Sequence, residues 1–493
     1  MSISLSTLLL AYYVAIIATF CLYGLHRYWL VWLFLRSGGL DRDDPTPPRR
    51  FSTLPRVTVQ LPMFNERRVA ERVIEAACGL DYPADRLQIQ VLDDSTDESA
   101  DIARRCCERL AAAGHDIEYR HRHRRAGFKA GALADAMPSA TGELLAVFDA
   151  DFVPPADYLR STVDQFTDES VGMVQVRWEH LNRDESWLTR IQALCLDGHF
   201  VVEQTARART GRWFNFNGTA GIWRRQCIDD AGGWQHDTLT EDTDLSYRAQ
   251  LAGWTFRYLP GVTCPAELPP TIGALMTQQH RWNKGLTQTA IKLLPTIVRS
   301  PASPGRKIEA FFHLTSPIPY AALLLLTLLI VPGFLVELPR TGVHPALALG
   351  LGIGALALGT FAAAAFYVVS QAAQRRLRFS LLGQLLTLMA VGVGVSVLNT
   401  KAIMEAVLGW QSPFVRTPKF AGGMRSDLDP AARRRQRLPR GLIELTLGVV
   451  MLAGVALSAT RPFTLVGLPF LVLFAVGYLL VALPQLRPRR FAT

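Results

Sequence analysis

Residues 143–151 read Glu-Leu-Leu-Ala-Val-Phe-Asp-Ala-Asp, an apolar run that ends in two aspartates one residue apart. A short continuous apolar run of this kind is typical of a strand buried on both faces. Three further strand-like runs lie upstream, at 57–61, 87–92 and 117–120, and helical patterns such as 97–110 and 128–137 separate them. This alternation predicts an α/β domain with a parallel, doubly wound sheet.

Acidic residues follow two of these predicted strands. Asp93 and Asp94 end the second strand, and Asp149 and Asp151 end the fourth. Ligands of such sheets bind beyond the carboxyl ends of the strands. An Asp-x-Asp pattern also occurs at 41–43, 242–244 and 427–429, so only its position after a buried strand distinguishes the pair at 149 and 151. That position predicts a Mg²⁺ or Mn²⁺ site shared with substrate phosphates; solvated loop carboxylates are the alternative.

Basic and acidic side chains elsewhere complete a candidate site. The sequence contains no P-loop, so phosphates would rely on a metal and on residues such as Lys129, whose alternative is a surface lysine at a helix start. Thr240-Glu241-Asp242 precedes an apolar-periodic helix and is either a capping box or a general base at a helix start. Trp282 beside Arg281 suits sugar stacking with phosphate contact, or an anchor in lipid headgroups.

Composition indicates a chain that is part membrane and part aqueous. The 493 residues are 49% hydrophobic and only 19% charged, and the mean hydropathy is +0.16. Residues 1–35 and 310–490 are rich in Leu, Ala, Val and Phe, whereas 40–305 resembles an ordinary globular domain. A simple soluble enzyme, a disulfide scaffold and a disordered chain are excluded. Predicted membrane segments are 5–25, 315–336, 345–370, 380–399, 441–459 and 463–485.

The net charge of +10 comes mostly from basic runs that flank these apolar segments. Such residues are normally topology signals, so no nucleic-acid partner is expected. The seven cysteines form no CxxC pair and suit a reduced, cytosolic environment. A single crossing by 380–399 would place the basic stretch 416–440 outside, so we expect 380–407 to lie along the interface or to re-enter without crossing.

These observations divide the chain into five predicted parts. Listed in order, they are an N-terminal transmembrane anchor at 1–36, a cytosolic catalytic domain at 50–300, transmembrane or interfacial helices at 301–400, a cytosolic basic loop at 401–440, and a C-terminal transmembrane hairpin with a basic tail at 441–493. The expected location is the inner, or plasma, membrane, with several crossings and the catalytic domain in the cytosol.

The ordered acidic motifs resemble a known signature. Asp93-Asp94, Asp149-x-Asp151, Thr240-Glu241-Asp242 and Gln278-x-x-Arg281-Trp282 look like the D, DxD, TED and QxxRW motifs of processive family 2 glycosyltransferases, the family of the cellulose synthases. Longer phrases, among them LPMFNER, FDADF and FNGTAGIWR, are similar to plant cellulose synthase-like A and C proteins, which make glucomannans and glucans. The resemblance covers residues 55–295 and implies a GT-A-type, Rossmann-like nucleotide-sugar domain set between one N-terminal and several C-terminal transmembrane helices.

The resemblance also implies roles for individual residues. Asp242, with Glu241, would be catalytic, Asp242 as the general base. Trp282, Asn217 and Gly218 would bind the acceptor. The segment FVRTPK at 414–419 resembles the gating loop of bacterial cellulose synthase, although Arg416 stands where the family has Val. Metal ligands would be Asp149 and Asp151, and the nucleotide sugar would contact Asp93, Asp94, Lys129, Asp149, Gln278, Arg281, Thr417 and Lys419.

The implied reaction is inverting transfer of a hexose from a nucleotide sugar to a growing β-linked glucan or mannan, with translocation of the polymer through the membrane helices. UDP-glucose and GDP-mannose both remain possible donors, because the sequence shares phrases with A-type and C-type relatives. The alternative acceptor is a lipid, as in ceramide or diacylglycerol glucosyltransferases. A noncatalytic membrane receptor or transporter is disfavoured by the intact acidic set.

Overall fold

The computed structural model describes residues 5–335, 345–411, 441–458 and 467–486. The predicted gating-like segment 414–419, with Thr417 and Lys419, lies outside these residues. The strands are β1 Val57–Met63, β2 Leu87–Asp93, β3 Ile117–His121, β4 Leu144–Val147, β5 Val171–His180, β6 Gly221–Arg224 and β7 Thr255–Ala266.

These seven strands form one sheet in the order β3-β2-β1-β4-β6-β5-β7. The first four strands are parallel to one another, as the alternation of strands and helices predicts. Their register aligns Met63 with Asp93, so the carboxyl ends of β1 and β2 lie side by side. Every residue of β2 and β4 is buried, which explains the uninterrupted apolar run at 144–147.

The second half of the sheet corrects the expectation of a wholly parallel sheet. β6 is antiparallel to both of its neighbours, β4 and β5, whereas β5 and β7 are parallel. The predicted pattern ended at residue 151 and carried no information on β6, which is only four residues long. Because β6 runs against β4, the loop that precedes β6 emerges at the same edge as the carboxyl end of β4. The domain is therefore α/β with a mixed sheet, and GT-A-type is the fold that the resemblance implies for it.

Helices surround the sheet on both faces and continue beyond it. Those of the globular part are α2 Ala70–Cys78, α3 Ser99–Ala112, α4 Phe128–Ala136, α5 Tyr158–Thr162, α6 Trp187–Asp197, α7 Thr205–Arg209, α8 Arg225–Asp230 and α9 Glu241–Leu251, with a π-helical turn at Gly198–Gln204. The others are α1 Leu5–Arg36, α10 Ile272–Arg299, α11 Pro304–Leu314, α12 Ile318–Leu335, α13 Pro345–Ala373, α14 Leu381–Gly394, α15 Ser396–Val407, α16 Leu442–Ser458 and α17 Leu468–Leu486.

Two of the described helices, Ala11–Arg36 within α1 and Leu468–Leu486, are long and apolar enough to cross a membrane. Two bent pairs would raise this number to four if each pair were a single span: α11 with α12, bent by 51°, and α14 with α15, bent by 45°. The second bend falls inside the segment 380–407, and such a break suits either a broken span or a re-entrant segment. Its interfacial position therefore remains a prediction.

The segment between α1 and β1 is fastened to the globular part. The Asp44 carboxylate accepts the Gly261 N–H of β7 at 3.1 and 3.0 Å. The Pro45 carbonyl accepts the Gln165 amide at 2.6 Å, and the Phe51 N–H donates to Asp164 at 3.1 Å. These contacts fix the path of the chain from the apolar helix to the sheet.

Candidate active site

A cavity opens at the carboxyl ends of β1, β2 and β4, between the loop before β6 and the helices α9 and α10. It brings together most of the residues that the sequence predicts as functional. Those lining it are Asp94, Lys129, Asp149, Asp151, Asn217, Gly218, Glu241, Asp242, Gln278, Arg281 and Trp282. Residues almost two hundred positions apart thus converge at the strand edge where the fold places ligands.

Lys129 is tied to the acidic pair at the end of β4. Its Nζ donates to Asp149 Oδ1 at 2.5 Å and to the Gly218 carbonyl at 2.8 Å. Burial lowers the pKa of Lys129, but the carboxylates of Asp149, Glu241 and Asp242 outweigh that effect, so this pKa lies above its ordinary value. Lys129 is therefore a cation inside the cavity and not a surface lysine.

The loop at 216–220 approaches the acidic side chains closely. At Gly218, φ is +83°, and a Cβ built there would lie 3.0 Å from Asp242 Oδ2 and 3.6 Å from Lys129 Nζ. Both the backbone conformation and the lack of space require glycine at this position. The loop carbonyl and backbone consequently form one wall of the cavity beside Asp242.

Asp242 lies in the first turn of α9. The Thr240 side chain makes no capping hydrogen bond, and Asp242 Oδ1 accepts from the neighbouring Thr243, from its N–H at 2.8 Å and from its hydroxyl at 3.5 Å, so a capping box does not explain the motif. Burial, and then the charge of Glu241, raise the pKa of Asp242 to about 7 against the opposing charges of Lys129 and Arg281. A carboxyl group with a pKa near neutrality is suited to proton transfer.

The helix α10 brings Gln278, Arg281 and Trp282 to the cavity. It also packs tightly on the acidic motif, because a Cβ at Gly285 would lie 2.4 Å from Thr240 Cγ2 and 2.9 Å from the Thr240 nitrogen. The Leu239 N–H, just before the motif, donates to Gln288 of α10 at 2.9 Å. α10 therefore sets the position of the turn that carries Asp242.

The two aspartates that end β2 differ in their surroundings. Asp93 is buried and does not line the cavity; its carboxylate accepts from the Ser95 N–H and the Tyr119 hydroxyl, each at 2.8 Å. Asp94 does line it, and Arg122 binds both of its oxygens at 2.7 Å. Asp94 is thus held rigidly as an acceptor, whereas Asp93 shapes the loop that follows β2.

Sequence reasoning missed other residues at the same edge. Arg125 lines the cavity with its guanidinium 3.5 Å from the centre of the Phe64 ring, and Glu66, His180 and Glu267 also line it. Arg125 sits in a run of basic residues at 120–125, and Glu66 sits in a polar turn after β1. Neither pattern distinguishes a cavity residue from a solvated one. For Arg125 and Glu66, the only indication in the sequence is that they follow the predicted strands β3 and β1.

The residues present fit a divalent cation only as a partial ligand set. Among the described residues, the closely spaced group of three potential ligands is Glu71, Glu75 and Cys106, whose two carboxylates both accept from Arg109. Asp149 and Asp151 instead offer hard carboxylate oxygens at the cavity, and Asp151 is only 5% exposed. Two carboxylates with the remaining positions left for water and phosphate is the arrangement that Mg²⁺ favours.

Comparison with known proteins agrees with this arrangement. Residues 55–285 match the family model described as "Glycosyltransferase like family 2". Residues 55–285 are a family 2 glycosyltransferase domain. The whole candidate site, from β1 to Trp282, falls inside that domain, and so the resemblance read from the ordered acidic motifs is confirmed.

The relatives of the glycosyltransferase domain include plant proteins that are named as glucomannan mannosyltransferases. The chain is 46% identical over 262 residues to glucomannan 4-beta-mannosyltransferase 1 of Oryza sativa subsp. japonica, a match that covers 52% of this chain and 50% of the relative. It is also 46% identical over 254 residues to glucomannan 4-beta-mannosyltransferase 2 of Arabidopsis thaliana, covering 50% and 48%. The matched part of the chain spans about half the length of these curated relatives.

A solved structure shares the fold. The mannosyltransferase PcManGT of Pyrobaculum calidifontis, in complex with GDP-Man and Mn²⁺, superposes with a TM-score of 0.52 and 24% sequence identity. The match covers 74% of this chain and 98% of that one. At this identity the similarity shows a shared fold and nothing more.

Proposed function

We propose that this protein transfers a hexose, with inversion, from a nucleotide sugar to the hydroxyl of a growing β-linked polysaccharide. The observation that carries the proposal is the convergence of Asp242, Lys129 and Trp282 in one cavity at the carboxyl edge of the sheet. A carboxyl group poised for proton transfer, a cation inside the cavity and an aromatic face suit the transfer of a sugar.

In this proposal Asp242 accepts the proton of the attacking acceptor hydroxyl. One base suffices because a single in-line displacement inverts the anomeric carbon. Glu241 keeps the pKa of Asp242 high by its charge. Trp282 stacks on the terminal sugar of the acceptor, and Asn217 and Gly218 border its hydroxyls.

The donor would lie between β2 and α10. Asp94 binds the nucleoside, and Asp93 supports the loop beneath it. Lys129 and Arg281 offset the charge that develops on the departing nucleoside diphosphate, and Gln278 borders the diphosphate as a neutral hydrogen-bond partner. Asp149 and Asp151 would hold Mg²⁺ or Mn²⁺, which when bound supplies further positive charge to the diphosphate. Thr417 and Lys419 belong to this proposal by resemblance alone.

We favour GDP-mannose as the donor and a β-mannan or glucomannan as the product. The support is the names of the rice and Arabidopsis relatives, together with the GDP-Man complex of the fold neighbour. UDP-glucose is the competing donor. Purified protein incubated with each labelled donor, with and without Mn²⁺, tests the choice, and exclusive use of UDP-glucose would overturn it.

The size of the product tests the acceptor. We expect a ladder of labelled oligosaccharides that remains after lipid extraction and that a β-mannanase degrades. A single chloroform-soluble monoglycoside would instead show a lipid glycosyltransferase.

We further propose that the protein lies in the plasma (inner) membrane with its catalytic domain in the cytosol. The polymer would leave the cell between the apolar helices. The support is the packing of α10 against α15, which places the acceptor-side helix next to the apolar part. Protein reconstituted in vesicles, with the donor supplied only outside, should accumulate polymer in the lumen, protected from added mannanase. Full digestion by that enzyme would contradict translocation.

A further inference from the structure

A chain of partly buried polar contacts begins at the cavity and leads away from the proposed donor site. It starts at Asn217, which lines the cavity, and continues to His199 and Glu203 in the π-helical turn Gly198–Gln204. Turns of this type occur frequently at functional sites because they alter which side chains share a face. The roles proposed so far make no use of this chain of contacts.

The Asn217 amide is fixed from both ends. Its Oδ1 accepts from Gln204 Nε2 at 2.7 Å, and its Nδ2 lies 2.9 Å from His199 Nε2. The Gln204 amide is itself oriented, because its Nε2 also donates to the Asn215 carbonyl at 3.0 Å. The backbone N–H of Asn217 donates to Gln175 Oε1 at 3.0 Å.

These contacts determine the tautomer of His199. Its Nδ1 lies 2.9 Å from Glu203 Oε2. Burial opposes the ionisation of Glu203, but Arg207 and Arg27 hold its pKa well below the usual range, so the carboxylate can only accept. Nδ1 therefore carries the proton, and Nε2 is left as the acceptor for the Asn217 amide. If that amide were rotated by 180°, the Asn217 Nδ2 donor would face the Gln204 Nε2 donor. The Asn217 Oδ1 acceptor would then face the His199 Nε2 acceptor.

Ion pairs hold Glu203, the partner of His199, in turn, and Arg207 Nη1 lies 3.6 Å from Glu203 Oε2. Glu203 Oε1 accepts from Arg27 of α1 at 2.9 Å, and Arg207 Nε donates to Glu309 of α11 at 2.9 Å. The side chains of Arg207 and Glu309 are 2% and 1% exposed. The turn is also pressed against α13, since a Cβ at Gly198 would lie 2.4 Å from the Phe366 ring. The imidazole is thus held in place by three helices outside the sheet.

We propose that His199 is a positioning residue for the sugar acceptor. Its Nε2 accepts from the Asn217 amide and orients it so that one N–H and one carbonyl lone pair remain directed at acceptor hydroxyls. The inference rests on the proposed function, because it assigns Asn217 to the acceptor side of the cavity. It adds a residue, and a hydrogen-bond polarity, that the glycosyltransferase motifs do not contain.

A matched pair of substitutions separates the two nitrogens of His199. The amide of His199→Gln reaches the position of Nε2 and can accept from Asn217, but it loses the bond to Glu203. The amide of His199→Asn reaches the position of Nδ1 and keeps the bond to Glu203, but it loses the acceptor for Asn217. Asn217→Ala and the double variant His199→Asn/Asn217→Ala complete a double-mutant cycle.

The first measurement is equilibrium binding of a short β-1,4-linked manno-oligosaccharide to the full chain in detergent, with GDP present. We expect His199→Asn to weaken binding about 3- to 10-fold, the loss of one oriented hydrogen bond, and His199→Gln to stay within about twofold. In the Asn217→Ala background, His199→Asn should have no further effect. Equal losses in the two His199 variants, or additive losses in the cycle, would overturn the proposal.

The second measurement is the initial rate with the donor that the wild-type protein uses best. His199→Asn should raise the KM for the oligosaccharide and leave the KM for the donor unchanged, which a purely structural role would not do. A wild-type protein that binds the oligosaccharide but transfers no sugar would contradict the proposed function alone. A wild-type protein that transfers sugar while His199→Asn has an unchanged acceptor KM would contradict the positioning role alone.

Discussion

The ammonium group of Lys284 is completely buried and lies 3.0 Å from the Glu405 carboxylate, which joins α10 to α15. The same group donates to the Trp410 carbonyl at 2.7 Å. Lys284 follows Trp282 by two residues, and so this ion pair connects the proposed acceptor platform to the segment that leads into residues 412–440.

Removal of that ion pair should destabilise the protein. Lys284→Met removes the buried cation and leaves Glu405 with His280, at 3.0 Å, and the exposed Lys401, so the cost should approach that of a broken buried pair, about 3–5 kcal/mol. Lys401→Met is the matched control, because Lys401 is 66% exposed and lies 3.8 Å from the same carboxylate. The control should cost less than about 1 kcal/mol. Thermal unfolding in detergent measures both variants, and equal shifts would contradict the assignment.

Substitution of the proposed base should abolish transfer without unfolding the domain. Asp242→Asn removes a general base, a loss of about 100- to 10,000-fold in rate. Asp237→Asn changes a surface carboxylate that pairs with Lys292, and it should retain activity. Binding of the nucleotide sugar should be retained in both variants. If the Asp242→Asn variant turned over at the normal rate, Asp242 would be excluded as the base.

The rate should rise with pH through about 7. Since burial and Glu241 raise the pKa of Asp242, the carboxylate needed as a base is lost as the pH falls through that value. Glu241→Gln removes one of the two causes and should move the midpoint of the acidic limb to lower pH. A pH–rate profile with the same midpoint in both proteins would show that another group titrates.

The same shift has a consequence for stability. A carboxyl group whose pKa is raised by folding favours the folded state below its unfolded pKa, and that contribution is lost as the pH rises through the folded value. Asp242→Asn should therefore unfold at the same or a higher temperature than the wild type at pH 8. A lower unfolding temperature would mean that the ionised side chain makes a stabilising contact.

Because α10 packs closely on the acidic motif, we expect that one methyl group added at Gly285 lowers both stability and activity. Gly285→Ala places a Cβ 2.4 Å from Thr240 Cγ2, and overpacking of this kind costs about 1–3 kcal/mol. We expect lower activity as the turn carrying Asp242 moves. Gly273→Ala, on the same helix, meets no atom within 4 Å and should leave activity unchanged. Equal activity in both variants would show that the turn tolerates displacement.

Much of the catalytic half could be predicted from the sequence because its signals are local. The buried run before Asp149 and the strand pattern at 87–92 give both strand positions and the edge at which ligands bind. The antiparallel β6 could not be predicted, because four residues carry too little periodicity to show a direction. The Arg122 clamp on Asp94 and the His199 contact with Asn217 join distant parts of the chain, so no pattern in sequence marks them.

The fastened segment between α1 and β1 has a mechanical consequence. A pivot needs a stretch of chain with few partners, whereas Asp44, Pro45 and Phe51 are each bonded to the globular part. Within the described segment 37–56, these contacts oppose a rotation of the globular part about the end of α1. In the proposed reaction, the product would then advance by one sugar while the globular part keeps its orientation relative to α1.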